Sequence, residues 1–176
     1  MPKIHLTING RSVEADAGDT ILAAARQAHI RIPTLCYHPA LPPEESCRLC
    51  VVEMIRGRWN SLVAACVYPI QEGMVIETDT EQVIKARKAI LELILSDHPL
   101  DCMTCNAAGS CELMDLAYEY GIKKSSLSGE THSYPLDPDP NPYIHWDMNK
   151  CILCRRCIRA CSEMQCAHVL TKADRG

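Results

Sequence analysis

His98, Cys102, Cys105 and Cys111 stand together in the stretch HPLDCMTCNAAGSC, at His-x3-Cys-x2-Cys-x5-Cys spacing. One imidazole and three thiols are soft or borderline donors, and four of them in one short loop point to a metal ion or a metal cluster. Two further cysteine groups flank them, Cys36/Cys47/Cys50/Cys66 upstream and Cys151/Cys154/Cys157/Cys161 downstream. Of the 12 cysteines, only Cys166 falls outside these groups.

The upstream spacing is Cys36-x10-Cys47-x2-Cys50-x15-Cys66. Two irons bridged by two sulfides need four outer ligands, and a long loop wraps such a cluster and aims backbone N–H groups at its sulfurs, which tunes the potential. A tetrahedral zinc ion accepts the same four thiolates, so both readings stand at this point. Tyr37 and His38 are expected to be packing or surface residues. In the central group a neutral imidazole in place of a thiolate removes one negative charge, which should raise a cluster's potential, as histidine does in Rieske centres. A zinc ion held by three thiolates and one imidazole satisfies that group too.

The downstream group, Cys151-x2-Cys154-x2-Cys157-x3-Cys161, is half of the bacterial two-cluster ferredoxin signature, whose fourth cysteine serves the other cluster. Ser162 stands where proline normally follows, and no second run of this kind is present. Cys161 is expected about one helical turn from Cys157, facing away from its cluster. Cys151, Cys154 and Cys157 are then left without an evident fourth ligand, with Cys166 as a substitute that no motif supports. The expectation is that the polypeptide is a fragment, or that the remainder is disordered or on another chain. Arg155, Arg156 and Arg159 could offset cluster charge, but a solvated helix face is the expected account.

The 176 residues suit one large or two small domains. They are 47% hydrophobic but contain no Phe, so aliphatics, Ala and Met must fill the core. A net charge of −4 with no basic run argues against a nucleic-acid surface. No run of about 18 apolar residues is present to span a membrane. The opening MPKIHLTINGRSVEADAG lacks the apolar core of a signal peptide. A cytoplasmic protein with reduced thiols is expected, and closely spaced reduced cysteines favour metal over disulfides. No nucleotide-binding glycine motif, catalytic triad or paired carboxylate stands out, so no substrate site is expected in this chain.

Residues 3–15 alternate in polarity around Asn9-Gly10, which predicts a hairpin. Asp19 or Thr20 caps a helix to about His29, with Ile21, Leu22, Ala25 and Ala28 on its apolar side, and Pro33 stops any continuation. The proline-rich loop TLCYHPALPPEESCRLC follows, then strands at 51–54, 61–66 and 74–77. The turn at Arg56-Gly57-Arg58 folds the chain back and brings Cys66 beside Cys50. A helix capped by Asp79 or Thr80 carries a stripe of Val83, Ala86, Ile90 and Ile94, widened by Ile84, Leu91 and Leu95. Its apolar second half, AILELIL, implies burial between two bodies. Pro99 keeps His98 out of helical geometry, Gly109 allows a sharp turn, and 112–120 form a short helix burying Leu113, Leu116 and Ala117. The stretch 129–143 is an extended, polar, proline-rich connector, with His132 and His145 solvated or packing.

The words IPTLCYHPAL, CRLCVVE, LVAAC, DHPLDCMTC, GSCELMDLAYEYG and NKCILCRRCIRAC together resemble the N-terminal region of the large iron–sulfur subunit of NADH dehydrogenase (complex I). The same modules begin NAD-dependent formate dehydrogenases, iron-only hydrogenases and the diaphorase iron–sulfur subunits of NAD-reducing hydrogenases. The resemblance implies an α+β chain: a β-grasp [2Fe-2S] ferredoxin-like domain at 1–78, a small helical [4Fe-4S] domain with one histidine and three cysteines at 79–128, a connector at 129–146, and the start of a ferredoxin-like cluster module at 147–176. It implies [2Fe-2S] on Cys36, Cys47, Cys50 and Cys66, [4Fe-4S] on His98, Cys102, Cys105 and Cys111, and a further [4Fe-4S] beginning at Cys151, Cys154, Cys157 and Cys161. The implied function is an electron relay between a flavin/NAD(P)H-binding subunit and a formate dehydrogenase or hydrogenase-type subunit. Two alternatives stay open: the front of such a catalytic subunit itself, and a structural zinc module.

Overall fold

The computed structural model describes residues 2–127, 129, 131–136, 142–144 and 146–172. The chain divides into two compact units, Met1–Ala86 with Cys154–Gly176, and Arg87–Leu153. Mixed sheet and few helices make the fold α+β.

The first unit is built on a five-stranded sheet in the order β2-β1-β5-β3-β4. Strands β1 (Lys3–Ile8) and β2 (Arg11–Asp16) form the expected antiparallel hairpin. Its two turn residues, Asn9 (φ 51°) and Gly10 (φ 72°), take the left-handed conformations that a tight hairpin requires. Leu6, Ile8, Val13 and Ala15 turn to the core, where helix α1 (Ile21–Gln27) packs Ile21, Leu22, Ala24 and Ala25 against them. The Thr20 hydroxyl caps α1 by accepting from Ala23 N–H at 3.2 Å.

Helix α1 closes well before Pro33. Ile30 N–H bonds the Ala25 carbonyl at 2.8 Å and His29 N–H bonds Arg26 at 3.1 Å, with His29 at φ 56°. That is a Schellman closure with histidine in the left-handed seat where glycine is usual. The helix ends short of His29 because the backbone has already turned away.

Strands β3 (Val51–Arg56) and β4 (Trp59–Ala64) form the second hairpin across Gly57-Arg58, and β5 (Val75–Glu77) lies between β1 and β3. It runs parallel to β1 and antiparallel to β3, so Ile76 sits opposite both Ile8 and Met54. Asn9 also ties the first hairpin to the end of β5. Its side chain donates to Thr78 Oγ1 at 2.7 Å and accepts from Thr78 N–H at 2.8 Å. Thr78 is fully buried. Asn9→Ala is expected to lower the stability of the first unit by about 2 kcal/mol, at roughly 1 kcal/mol per lost hydrogen bond, read by denaturant unfolding at matched iron content.

Helix α2 (Glu81–Ser96) starts at Thr80, whose Oγ1 accepts from Val83 N–H at 3.3 Å. Its buried positions are Val83, Arg87, Leu91 and Leu95, one every fourth residue. The expected stripe is thereby shifted: Ala86, Ile90 and Ile94 are only half-buried and Leu93 is 61% exposed. The helix is not buried on all sides, because its period sets Leu93 opposite Leu91 and Leu95. Arg87 is only 1% exposed and donates to the Tyr120 hydroxyl at 3.1 Å. Helix α3 (Glu112–Glu119) buries Leu113, Leu116 and Ala117, as the sequence predicts.

The described part of the connector is anchored to its own unit. Asn149 exchanges hydrogen bonds with the backbone of Tyr134 at 2.8 and 3.0 Å. Asp97 accepts from His132 N–H at 2.7 Å and lies 2.7 Å from its Nδ1, and the His132 ring stacks on Tyr134. His145 and residues 137–141 lie outside the described residues. Among the described residues no helix is long and apolar enough to cross a membrane.

Candidate metal-cluster centres

The first thiol group is assembled by the second hairpin and one loop. Cys50 immediately precedes β3 and Cys66 follows β4 by two residues, with Ala65 N–H bonding the Cys50 carbonyl at 3.1 Å. The strands therefore hold these two thiols side by side, as the hairpin reading predicts. Cys36 and Cys47 come from the irregular loop before β3. Cys36, Cys50 and Cys66 are at most 2% exposed, and Cys47 is half-buried.

The thiols interact as two pairs. The Cys36 side chain hydrogen-bonds Cys47, and the Cys50 side chain hydrogen-bonds Cys66. Sharing a proton pushes Cys36 up and lowers Cys47 to about 6, where backbone N–H groups of Leu49, Leu35 and Cys36 further favour the thiolate. The same sharing raises Cys50 and lowers Cys66. The pairs also sense each other: Cys36 and Cys47 both disfavour charge on Cys66. Four thiols that compete for protons, three of them buried and with N–H donors around Cys47, suit a cationic centre that displaces those protons. Glu45 (φ 59°) and Arg48 (φ 60°) bracket Cys47 in left-handed conformations, and such backbone concavities turn N–H groups inward. Neither is glycine, so no residue type advertises the turn.

The second group follows α2. His98 leaves the helix before Pro99, and successive tight turns bond Thr104 to Asp101, Ala108 to Cys105 and Ser110 to Ala107. Gly109 at φ 82° makes the bend before Cys111. Cys111 caps α3 with its sulfur, which accepts from Met114 N–H at 3.4 Å. The three thiols are half-buried. His98 Nδ1 is buried and has no hydrogen-bond partner, an expensive state for an imidazole nitrogen unless something else meets it. Burial lowers the His98 pKa, with Lys150 adding to the effect and Asp101 and Asp147 opposing it. The neutral ring is the form that binds metal.

Two cavities meet at this loop. One, about 430 Å³, is lined by His98, Cys102 and Cys111 together with Leu95, Leu113 and Ala117. The other, about 700 Å³, is lined by His98, Cys105 and Cys111 with Trp146, Asp147 and Lys150. Space, an orphaned nitrogen and soft donors together fit a multi-iron centre. Among the described residues no three His, Cys, Asp or Glu side chains form a group ready to hold a single metal ion.

The third group is divided by the unit boundary, with Cys151 in the second unit and Cys154, Cys157 and Cys161 in the first. Leu153 (φ 55°) and Arg155 (φ 58°) bracket Cys154 much as Glu45 and Arg48 bracket Cys47. Helix α4 (Arg156–Arg159) carries Cys157, which is exposed, and a π-helical turn over Ala160–Met164 carries Cys161, which is buried. Cys166 is exposed. The expected solvated arginine face is not observed. Arg159 is 5% exposed and Arg155 and Arg156 are half-buried; all three bond the segment from Cys36 to Glu44. Nothing local in the sequence signals this, because the partners lie 111 or more residues away.

Three family descriptions match the chain. A 2Fe-2S iron-sulfur cluster binding domain covers residues 1–81, the NADH-ubiquinone oxidoreductase-G iron-sulfur binding region covers 87–126, and a 4Fe-4S binding domain covers 143–167. Among curated relatives, an NADP-reducing hydrogenase subunit of Solidesulfovibrio fructosivorans is 42% identical across 100% of this chain and 30% of its own length. A G-type subunit of the NADH-quinone oxidoreductase of Rhizobium meliloti is 40% identical across 98% and 20%, respectively. The mitochondrial NADH-ubiquinone oxidoreductase 78 kDa subunit of Candida albicans is 34% identical across 100% and 24%. The chain thus spans less than a third of the length of these relatives. A chain in the crystal structure of an NAD+-reducing [NiFe]-hydrogenase in the H2-reduced state superposes with a TM-score of 0.84 at 31% identity, covering 98% of this chain and 71% of that one.

Proposed function

Because the chain belongs to the iron–sulfur family of the G-type NADH-quinone oxidoreductase subunits, their 78 kDa counterparts and the related hydrogenase subunits, we propose that it passes electrons between a flavin-bearing NAD(P)H subunit and a second redox subunit of hydrogenase or formate dehydrogenase type. Its character as an iron–sulfur electron-transfer region with 2Fe-2S and 4Fe-4S binding domains is the premise.

Cys36, Cys47, Cys50 and Cys66 would hold the [2Fe-2S] centre, and His98, Cys102, Cys105 and Cys111 a [4Fe-4S] centre. The Cys151-x2-Cys154-x2-Cys157-x3-Cys161 spacing supports a further [4Fe-4S] centre. When bound, such clusters accept and release single electrons. The chain's own residues do the rest. The second hairpin fixes Cys50 and Cys66, and the N–H groups around Cys47 compensate added negative charge. Leu95 and Leu113, both buried, line the cavity beside His98, and an apolar lining sharpens charge effects on the ring.

The observation that carries this reading is the gathering of four thiols, three buried and one half-buried, at the open end of β3 and β4. It is tested by iron and sulfide analysis with EPR on the full chain. The expected result is brown protein with a two-iron signal and four-iron signals that appear on reduction. Colourless protein that holds zinc in the first thiol group overturns it.

A further inference from the structure

The segment from Cys36 to Glu44 has no helix or strand of its own, yet it begins at one of the proposed [2Fe-2S] ligands. Three arginines hold it from 111 to 123 residues away. Arg155 Nη1 meets Glu44 Oε1 at 2.7 Å, and Arg156 Nη2 donates to the Tyr37 carbonyl at 3.0 Å. Arg159 does most. Its Nη1 donates to the Pro42 carbonyl at 2.6 Å, and its Nη2 donates to the Cys36 carbonyl and, at 3.4 Å, to the Cys154 carbonyl. Its Nε lies 3.4 Å from Glu44 Oε2.

A guanidinium stays charged at any working pH and presents its donors in a rigid fork. Burying one is costly unless each donor is met and the charge acts on something. Here the two Nη groups are met by neutral carbonyls, Nε makes no hydrogen bond, and Glu44, the one carboxylate beside the fork among the described residues, is 36% exposed, so water screens that partner. The buried positive charge is therefore only partly neutralised. It touches the carbonyl of Cys36, whose own sulfur is three bonds from that carbonyl carbon. An electron added to a cluster on Cys36 adds negative charge, and a fixed cation in a poorly screened interior favours that state.

We propose that Arg159 is the charge-setting and positioning residue of the [2Fe-2S] centre: it locks the Cys36 segment to the Cys154 turn and raises that centre's reduction potential. The proposal rests on the ligand assignment given above. Lysine supplies the charge without the fork, glutamine supplies part of the hydrogen bonding without the charge, and Glu44→Gln removes the opposing charge while leaving Arg159 in place.

The test is an EPR-monitored redox titration of the full chain carrying R159Q, R159K or E44Q, with iron and sulfide counted in each. At the wild-type midpoint, R159Q is expected to lower the ratio of reduced to oxidised two-iron centre about tenfold, a downward shift of about 59 mV for a one-electron couple. E44Q is expected to shift it upward, and R159K to stay nearer wild type than R159Q. A midpoint unmoved in both R159Q and E44Q overturns the proposal, because lost packing alone would not spare it. Should R159Q fail to load iron, E44Q decides: an upward shift supports the role and an unchanged midpoint refutes it. Failure of the underlying assignment looks different, since the wild-type chain would then give no two-iron signal, or Cys66→Ala would retain it.

Discussion

Cys66→Ala in the full chain is expected to abolish the two-iron EPR signal and remove its iron, leaving the four-iron signals in place. Cys66 is 1% exposed, beside Cys50 at the end of the second hairpin. No other cysteine of its group can take its position, because the strands fix where Cys50 lies and the loop supplies Cys36 and Cys47. Three thiolates leave one iron of a two-iron centre short of a ligand. Metal binding and folding are linked, so the unfolding temperature of the first unit should fall as well. Cys166→Ala, at an exposed site outside the first thiol group, is the control and should leave the two-iron signal unchanged. A two-iron signal surviving in Cys66→Ala at full iron content would remove Cys66 from the ligand set.

His98→Cys is the second large effect, and its sign is opposite to that of a simple loss. The middle centre is expected to persist with a midpoint lowered by something on the order of 100 mV, because thiolate adds a negative charge where neutral imidazole had none. Burial favours the neutral form of the His98 ring, so the substitution alters charge as well as donor softness. His98→Ala provides no donor and should instead cut iron occupancy of this centre. Redox titration separates the cases. A midpoint identical to wild type in His98→Cys would show that the ring is not a ligand, and its unpartnered Nδ1 would then need another explanation.

Local signals in the sequence had local causes, and those parts were legible. Asn9-Gly10 marked a turn because few residue types tolerate positive φ, and Thr20 and Thr80 marked helix starts because their hydroxyls serve free N–H groups. Leu113, Leu116 and Ala117 marked the inner face of α3 by spacing alone. The pairing of Cys50 with Cys66 followed from a hairpin readable in Val51–Met54 and its turn. What could not be read came from distant partners. The burial of Arg159 depends on carbonyls at Cys36 and Pro42. That of Arg87 involves a tyrosine 33 residues on. Charge alone suggested solvent for the arginines around Cys157, and the three-dimensional fold overrode it. The left-handed residues beside Cys47 and Cys154 were equally hidden, since Glu45, Arg48, Leu153 and Arg155 carry no glycine-like signature.

The contrast between the two halves of the first thiol group has a consequence for how the chain tolerates change. Cys50 and Cys66 depend on strand register: one residue inserted into β3 or β4 would swap the faces of every following side chain and part the two sulfurs. Cys36 and Cys47 hang on a span without ladder bonds, where doubling the number of residues adds only about 0.6 kcal/mol of closure entropy. Lengthening between Tyr37 and Pro42, the stretch between two arginine-held carbonyls, should therefore be absorbed as slack, while a single added residue within β3 or β4 should be ruinous.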